Sequence, residues 1–242
     1  MLNELTSDLR SMRLPGMALA LERWVADPAN SDRCALECVT NLIAAQREMR
    51  DAKRASSFQS RSRLAPHLTS GAFDPSNARG LSARQFQHLV SLAWLDARQD
   101  LVLTGPSRSG KTHLAAALAQ EALNSGRTVR FERVPELLAR LAEHADAAYG
   151  NALIVTLARP ELLVLDDIAT DMANSEQTTW LRRLIERREN RGAIIATSIA
   201  DPEEWNAFFD NKAGADGIHG RLTDGGHEVT LKGRYGAKGA RK

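Results

Sequence analysis

The chain has 242 residues, of which 43% are hydrophobic and 26% are charged, and its formal net charge is +2. This length and composition are typical of a globular protein with one α/β domain and a small appendage. The sequence contains no run of about 18 apolar residues, so it predicts no membrane span. The N-terminus lacks the basic and apolar regions of a secretory signal. We therefore expect a cytoplasmic protein with no membrane contact.

The first 64 residues have the apolar spacing of helices. The first helix is indicated by three apolar residues at helical intervals: Leu5, Leu9 and Met12. The pair Pro15-Gly16 interrupts this pattern, and a second helix is predicted over residues 17–25. The third helix is predicted by an apolar stripe: Leu36, Val39, Leu42 and Ile43. We therefore predict a small N-terminal helical domain over residues 1–64.

Residues 65–80 are rich in Pro, Ser, Gly and Asn, which predicts a linker. A helix from residue 81 through Trp94 is predicted to follow, and apolar runs then alternate with helical patterns. Such alternation is typical of a parallel sheet flanked by helices. The apolar runs predict strands at residues 101–103, 128–133, 162–166, 193–198 and 228–231. The sequence therefore predicts an α/β domain over residues 81–242.

Residues 105–112 form a candidate phosphate-binding loop, because they fit the pattern G-x-x-x-x-G-K-[ST] between a predicted strand and a predicted helix. Glycines at positions 105 and 110 let the backbone curl around an anion. Lys111 is predicted to reach the β- and γ-phosphates of a nucleotide, and the Thr112 hydroxyl to hold Mg²⁺. The alternative is a Gly/Ser turn that fits the pattern by chance. The predicted nucleotide-binding residues are Gly105, Pro106, Ser107, Arg108, Ser109, Gly110, Lys111, Thr112 and His113.

Two carboxylates, Asp166 and Asp167, end the apolar run at residues 162–166. Open α/β sheets bind ligands at the carboxyl ends of their strands, and a fully apolar run is typical of a buried parallel strand. We predict that Asp166 binds Mg²⁺ directly or through water. Asp167 is predicted to polarise an attacking water or to hold another residue that does. Taken alone the pattern is weak, since many strands end at acidic turns, but a phosphate loop upstream strengthens it.

In this order, the segments resemble AAA+ ATPases of the IstB/DnaC type. Within that group the chain is most similar to IstB, the helper ATPase encoded beside a transposase in bacterial insertion sequences. Residues 9–18 are similar to the family's opening LRLPGMA, and residues 91–95 to its SLDWI element. The later landmarks that match are Glu203-Glu204-Trp205 and Leu231-Lys232-Gly233. The resemblance covers nearly the whole chain.

The resemblance implies an AAA+ P-loop fold with a three-layer αβα arrangement that binds ATP and Mg²⁺ between neighbouring subunits. It implies a homo-oligomeric ring or spiral on duplex DNA that recruits a cognate transposase, which then stimulates ATP hydrolysis. It also implies that Thr197 or Ser198 is sensor 1, that Arg221 is the arginine finger, and that Phe73 packs near the adenine. Each residue also has a structural interpretation. The Thr-Ser pair could cap a turn, Arg221 could be a surface arginine, and Phe73 could hold the linker against the domain.

The chain departs from the family pattern in several places, including its C-terminal element at residues 233–236. Arg108 stands where the family usually has a small residue, Ile199 follows the Thr-Ser pair instead of Asn or Gln, and Gly220 precedes Arg221 instead of Asp. Two other functions stay open, the second of them because of Arg108. One is a replicative helicase loader of the DnaC type, and the other is a nucleotide-binding module that assembles but hydrolyses poorly.

Basic residues are clustered despite the small net charge. Residues 47–63 contain six basic residues and two acids, and residues 232–242 contain five basic residues and no acid. Clustered basic residues favour contacts with nucleic-acid phosphates. A solvated helix face and a frayed tail explain the two clusters equally well. In the helix predicted from Ser175, four arginines are expected on a side away from its apolar residues: Arg182, Arg183, Arg187 and Arg188.

Overall fold

The computed structural model describes residues 1–65, 68, 73–78, 80–144 and 146–235. Contacts within the chain divide it into two units, Met1–Ser57 and Phe58–Lys242. The domain boundaries at residues 64 and 80 rest on composition and stay predictions. In the part of the chain that the structure describes, no helix is long and apolar enough to cross a membrane. Three basic residues of the C-terminal cluster lie outside the described residues: Lys238, Arg241 and Lys242.

The first unit is helical, as the sequence predicts. Its helices are α1 (Leu2–Ser11), α2 (Pro15–Ala26) and α3 (Ala35–Ser62), the last of which continues into the second unit. Helix α2 begins at Pro15 instead of residue 17. Proline suits the first position of a helix, because its missing amide hydrogen would have no partner there.

The start of α2 is held by Gln46, a buried side chain on α3. Its Oε1 accepts hydrogen bonds from the amides of Gly16 at 2.9 Å and Met17 at 3.2 Å. These amides belong to the first turn of a helix, where no partner exists within the helix itself. A Cβ at position 16 would lie 2.8 Å from the Cα of Gln46, so only glycine fits. The Pro-Gly pair of the opening motif thus serves helix packing in the first unit.

The second unit is built on a parallel five-stranded sheet in the order β2-β3-β4-β1-β5. The strand predictions are confirmed to within one residue at either end. Because all strands run the same way, their carboxyl ends meet at one edge of the sheet. The strands are β1 (Leu101–Thr104), β2 (Val129–Arg133), β3 (Leu162–Asp166), β4 (Ala193–Ser198) and β5 (His227–Thr230).

Successive strand residues point to opposite faces of the sheet and enter two separate cores. Helices cover both faces and complete these cores. In β1, Leu101 and Leu103 belong to one core and Val102 to the other. This arrangement confirms the predicted three-layer α/β fold. The helices beside the first core are α4 (Ala83–Val90), α5 (Ala93–Asp96) and α6 (Lys111–Asn124). Those beside the second core are α7 (Val134–His144), α8 (Ala147–Leu157), α9 (Ser175–Arg188) and α10 (Lys212–Thr223).

The prediction of one helix through Trp94 is wrong, because the chain turns between α4 and α5. Leu92 has a left-handed backbone with φ of 58°. The buried indole Nε1 of Trp94 donates to the Leu89 carbonyl at 2.9 Å. In a continuous helix that carbonyl would accept from the amide of residue 93 instead. Burial of the indole together with its hydrogen bond therefore accompanies the break.

Arg188 is buried, so the prediction that it lies with the other arginines of its helix on a separate side is wrong. It is 1% exposed, and burial lowers its pKa to about 10 beside the carboxylate of Asp100. Burial also raises the pKa of Asp100 to about 7. The Arg188 guanidinium donates to four carbonyls at distances of 2.8–3.3 Å: those of Leu157, Pro160, Glu161 and Ala193. It thereby joins the end of α8 to the starts of β3 and β4.

Replacing Arg188 with methionine should lower the free energy of unfolding by about 3 kcal/mol, since four carbonyls would lose their donor and Asp100 would lose a nearby positive charge. Urea denaturation followed by circular dichroism measures this change. The matched control is Arg187→Met, because Arg187 is the exposed neighbour on the same helix. Equal effects of the two substitutions would contradict the structural role of Arg188.

Candidate nucleotide-binding site

The phosphate loop lies between β1 and α6, and its glycines are required by its shape. Gly105 and Gly110 have φ of 136° and 100°, values that side chains rarely permit. A Cβ on Gly105 would lie 2.0 Å from the Leu231 carbonyl oxygen, and one on Gly110 would lie 2.8 Å from the ring of Tyr235. Arg108, the departure from the family pattern, also has a left-handed backbone with φ of 62°.

The loop presents unsatisfied donors where a phosphate would bind. No side chain caps the first turn of α6, so its amides stay available to an anion. The Ser109 hydroxyl is buried and has no hydrogen-bond partner among the described residues. Buried polar atoms without partners are rare in folded proteins. The donor set therefore fits a bound phosphate group.

Lys111 lies along the inside of this loop. Its Nζ donates to the carbonyls of Gly105 at 2.7 Å and Pro106 at 3.0 Å. Burial lowers the pKa of Lys111, and the carboxylates of Asp167 and Asp166 oppose that shift. The ammonium group is thus held between the loop and the two carboxylates, within the predicted site.

Asp166 is a buried carboxylate that accepts hydrogen bonds from two hydroxyls. Its Oδ1 accepts from Thr112 at 2.9 Å and from Thr197 at 2.7 Å. Burial raises the pKa of Asp166, and the hydrogen bond from Thr197 opposes the rise. The two predicted Mg²⁺ ligands, Thr112 and Asp166, are therefore adjacent. Oxygen ligands of this kind beside a phosphate cradle fit the coordination that Mg²⁺ prefers.

Asp167 is held by a residue that the sequence analysis missed. Its carboxylate pairs with Nη2 of Arg133 at 2.9 Å, and its own backbone is left-handed with φ of 62°. The hydrogen bond to Asp167 raises the pKa of Arg133. Arg133 ends β2 and is in register with Asp166 on β3. The sequence does place Arg133 as the last residue of a predicted strand. Which strand lies beside it is decided only by the tertiary structure.

The structure brings Thr197, and not Ser198, to the carboxylates. The Thr197 hydroxyl donates to Asp166 and accepts from the Asp167 amide at 2.9 Å. The Ser198 hydroxyl instead accepts from the indole of Trp205 at 2.9 Å and from the amide of Ala200 at 3.1 Å. Successive strand residues point to opposite faces, so only one of the two could reach Asp166.

Phe73 lies in an aromatic cluster at the start of α6. Its ring stacks on Tyr235 at 5.2 Å and meets the edge of His113 at 5.3 Å. Tyr235, which the sequence analysis did not assign, also donates its amide to the Arg108 carbonyl at 2.8 Å. Phe73 is thus buried next to the phosphate loop. Its contact with an adenine and its role as a linker staple both stay predictions.

Arg221 lies at the opposite edge of the sheet from the phosphate loop. It borders a cavity of about 270 Å³ together with Asp100 and Gly192, which immediately precede β1 and β4. The loop follows β1, so the strand's length of roughly 13 Å separates the two edges. Nη2 of Arg221 pairs with Glu186 at 3.0 Å. Within its own chain, Arg221 is therefore not part of the loop site.

Comparison with known proteins places this site in a family. The family described as IstB-like ATP binding protein matches residues 7–240. The chain belongs to the IstB-like ATP-binding proteins. An insertion-sequence ATP-binding protein of Sinorhizobium fredii is 30% identical over 226 residues, which are 93% of this chain and 92% of that protein. Another, of Mycobacterium tuberculosis, is 30% identical over 231 residues, or 95% and 92% of the two chains.

Solved structures confirm the fold of this IstB-like protein. The crystal structure of DnaI has a TM-score of 0.57 at 17% identity and covers 69% of this chain and 94% of its own. The DnaC helicase loader has a TM-score of 0.53 at 18% identity, with 69% and 100% covered. At such identities the likeness establishes the fold alone. The predicted AAA+ fold and the resemblance to IstB/DnaC-type proteins are confirmed.

Proposed function

We propose that this IstB-like protein is a Mg²⁺-dependent ATPase that helps transposition. It assembles on target duplex DNA, recruits and activates a transposase, and leaves the DNA when ATP is hydrolysed. One observation carries the proposal: the phosphate loop, Thr112 and Asp166 converge at one edge of the sheet in a chain that belongs to a family of ATP-binding proteins. The relatives described above are named as insertion-sequence proteins.

The side chains around the loop support hydrolysis as well as binding. The loop amides and Lys111 would hold the phosphates, and Thr112 with Asp166 would hold Mg²⁺, which when bound draws charge from the phosphate oxygens. Asp167 would orient and activate the attacking water. Thr197 contacts both Asp166 and Asp167, so it fixes the position of one carboxylate relative to the other.

Arg221 supports the oligomeric part of the proposal. Its side chain lies at the amino edge of the sheet, far from its own phosphate loop, and Glu186 holds it there. An arginine in this position could stabilise transition-state charge only in a neighbouring subunit. A ring or spiral in which each subunit's amino edge meets the next subunit's loop would supply that contact.

The test of the whole proposal is duplex DNA binding by the purified full-length protein with ATP, with ADP and with no nucleotide, while particle size is measured by light scattering. Large complexes on duplex DNA are expected only with ATP and Mg²⁺. The control is Lys111→Ala, which should lose the ATP-dependent complexes because it lacks the cationic phosphate contact. Binding to single strands alone would favour a helicase loader, and assembly without ATP turnover would favour a poorly hydrolysing module.

Thr197→Ala should lower the rate of ATP hydrolysis by about 10-fold or more while ATP affinity stays within about 3-fold, because the Asp166 carboxylate and the Asp167 amide lose their common hydroxyl partner. Thr197→Ser keeps that hydroxyl and should retain most activity. The neighbouring control, Ser198→Ala, should leave the rate within about 3-fold. Steady-state phosphate release measures all three. A larger loss in Ser198→Ala than in Thr197→Ala would reverse the sensor assignment.

Arg221→Ala should bind ATP normally but lose hydrolysis, because the neighbour's site lacks its arginine. Mixed in equal amounts with Asp167→Asn, it should recover about a quarter of wild-type phosphate release, since random assembly pairs an intact site with an intact arginine that often. The matched control is Arg182→Ala, because Arg182 pairs with the same Glu186. No recovery in the mixture would contradict action between subunits.

A further inference from the structure

Five arginines of the second unit surround the outer side of β2. This strand pairs with β3 and ends the described sheet, so its other side faces away from the sheet. Two of the arginines come from the end of α3 and the residue after it, and the others come from β2, α7 and the segment before β3. We name this set the β2-edge arginine surface: Arg61, Arg63, Arg130, Arg140 and Arg159.

Three of these guanidiniums converge on Glu132, a buried carboxylate in β2. The pairs are Arg63 at 3.3 Å, Arg130 at 2.6 Å and Arg140 at 2.5 Å. Arg63 and Arg140 also line a cavity of about 710 Å³ that contains the carboxylates of Glu136, Asp166 and Asp167, so these two cations have further acids nearby. A carboxylate that has already lost its solvent also fixes the orientation of the guanidiniums around it. Glu132 therefore holds Arg63, Arg130 and Arg140 in place, and the cations without an ion pair among the described residues of this surface are Arg61 and Arg159.

A cavity of about 330 Å³ continues the surface beyond Arg130. Arg61 and Arg159 line it and are exposed, and Nη1 of Arg130 donates to the Arg61 carbonyl at 3.1 Å. Among the described residues, the lining contains no acidic side chain. Within the same part of the chain, no ion pair joins Arg61 or Arg159 to a carboxylate. These two cations are therefore available to an external anion.

We propose that the β2-edge arginine surface binds the phosphate backbone of duplex DNA. The inference rests on the proposed function and deepens it by naming side chains that contact the DNA. Guanidinium forks match phosphate oxygens in geometry as well as charge, and several in a row suit a polyanion with regularly spaced charges. Phosphate contacts position a protein on DNA without reading bases, so this surface would bind without sequence preference.

The experiment compares the full-length double variant Arg61→Gln/Arg159→Gln with the wild-type protein. Neither residue contacts Glu132, so the buried cluster stays intact. Fluorescence anisotropy of a labelled duplex is measured with ATP at several salt concentrations. The double variant should bind about 10-fold or more weakly near 0.1 M salt, and the slope of log affinity against log salt should shrink by about 2, because two phosphate contacts are lost.

The matched control is Arg84→Gln/Arg187→Gln, which removes the same charge from two exposed side chains elsewhere. Arg84 lies on α4, whose His88 contacts His227 of β5 with ring centroids 5.6 Å apart, so it lies at the far side of the sheet from β2. This control should bind duplex DNA within about 3-fold of wild type and keep its salt slope. ATP affinity and the thermal midpoint should be unchanged in both double variants, which excludes misfolding as the cause.

The outcomes separate this inference from the function on which it rests. If the wild-type protein fails to bind duplex DNA with ATP, the proposed function is wrong. If the wild type binds and Arg61→Gln/Arg159→Gln binds equally well, the surface assignment alone is overturned. Equal losses in both double variants would also overturn it, because net charge would then explain the effect.

Discussion

The nucleotide site depends on one buried carboxylate, Asp166, and the two hydroxyls that donate to it. Thr112 belongs to the first turn of α6, and Thr197 lies near the carboxyl end of β4. A carboxylate without such partners would be costly to bury. The same two hydrogen bonds that make its burial tolerable therefore tie the phosphate loop, β3 and β4 together. The loop and Asp167 consequently keep fixed positions relative to each other.

The two edges of the sheet have different chemistry. The carboxyl edge carries the phosphate loop and the two carboxylates, whereas the amino edge carries Arg221 and the buried Arg188 with Asp100. Under the proposed function, the amino edge of one protomer contacts the carboxyl edge of the next, so the two surfaces in contact are different. Contacts of that kind generate rings when they close and helical assemblies when they do not. The asymmetry of the fold thus agrees with assembly along DNA.

The arginines of the second unit fall into groups that a net charge of +2 conceals. Arg133 holds Asp167, and Arg188 holds buried carbonyls, so both are used within the fold. Arg63, Arg130 and Arg140 pair with Glu132, whereas Arg61 and Arg159 line a cavity whose lining, among the described residues, contains no acidic side chain. Charge distribution, and not total charge, therefore supports the proposed contact with DNA. Contacts made by phosphate attraction alone would weaken with added salt.

The sequence by itself determined the features that are contiguous along the chain. The five strands, the phosphate loop and the strand that ends in Asp166 could be predicted, because buried strands are short apolar runs and the loop needs glycine, lysine and threonine at fixed spacing. The family could be predicted for the same reason, since its landmarks are short local motifs. The predicted roles of the loop residues and of the two carboxylates come from these local patterns, whereas those of Thr197 or Ser198, Arg221 and Phe73 rest on the family resemblance.

Only the tertiary structure decided which side chains meet. The neighbours Thr197 and Ser198 are equivalent in a motif, but the pleat of β4 sends one to Asp166 and the other to Trp205. The pairing of Arg133 with Asp167 depends on the order of the strands, and the burial of Arg188 depends on carbonyls from three separate segments. Local pattern fixes what each segment becomes, whereas contacts between distant segments arise only when the sheet and its helices pack.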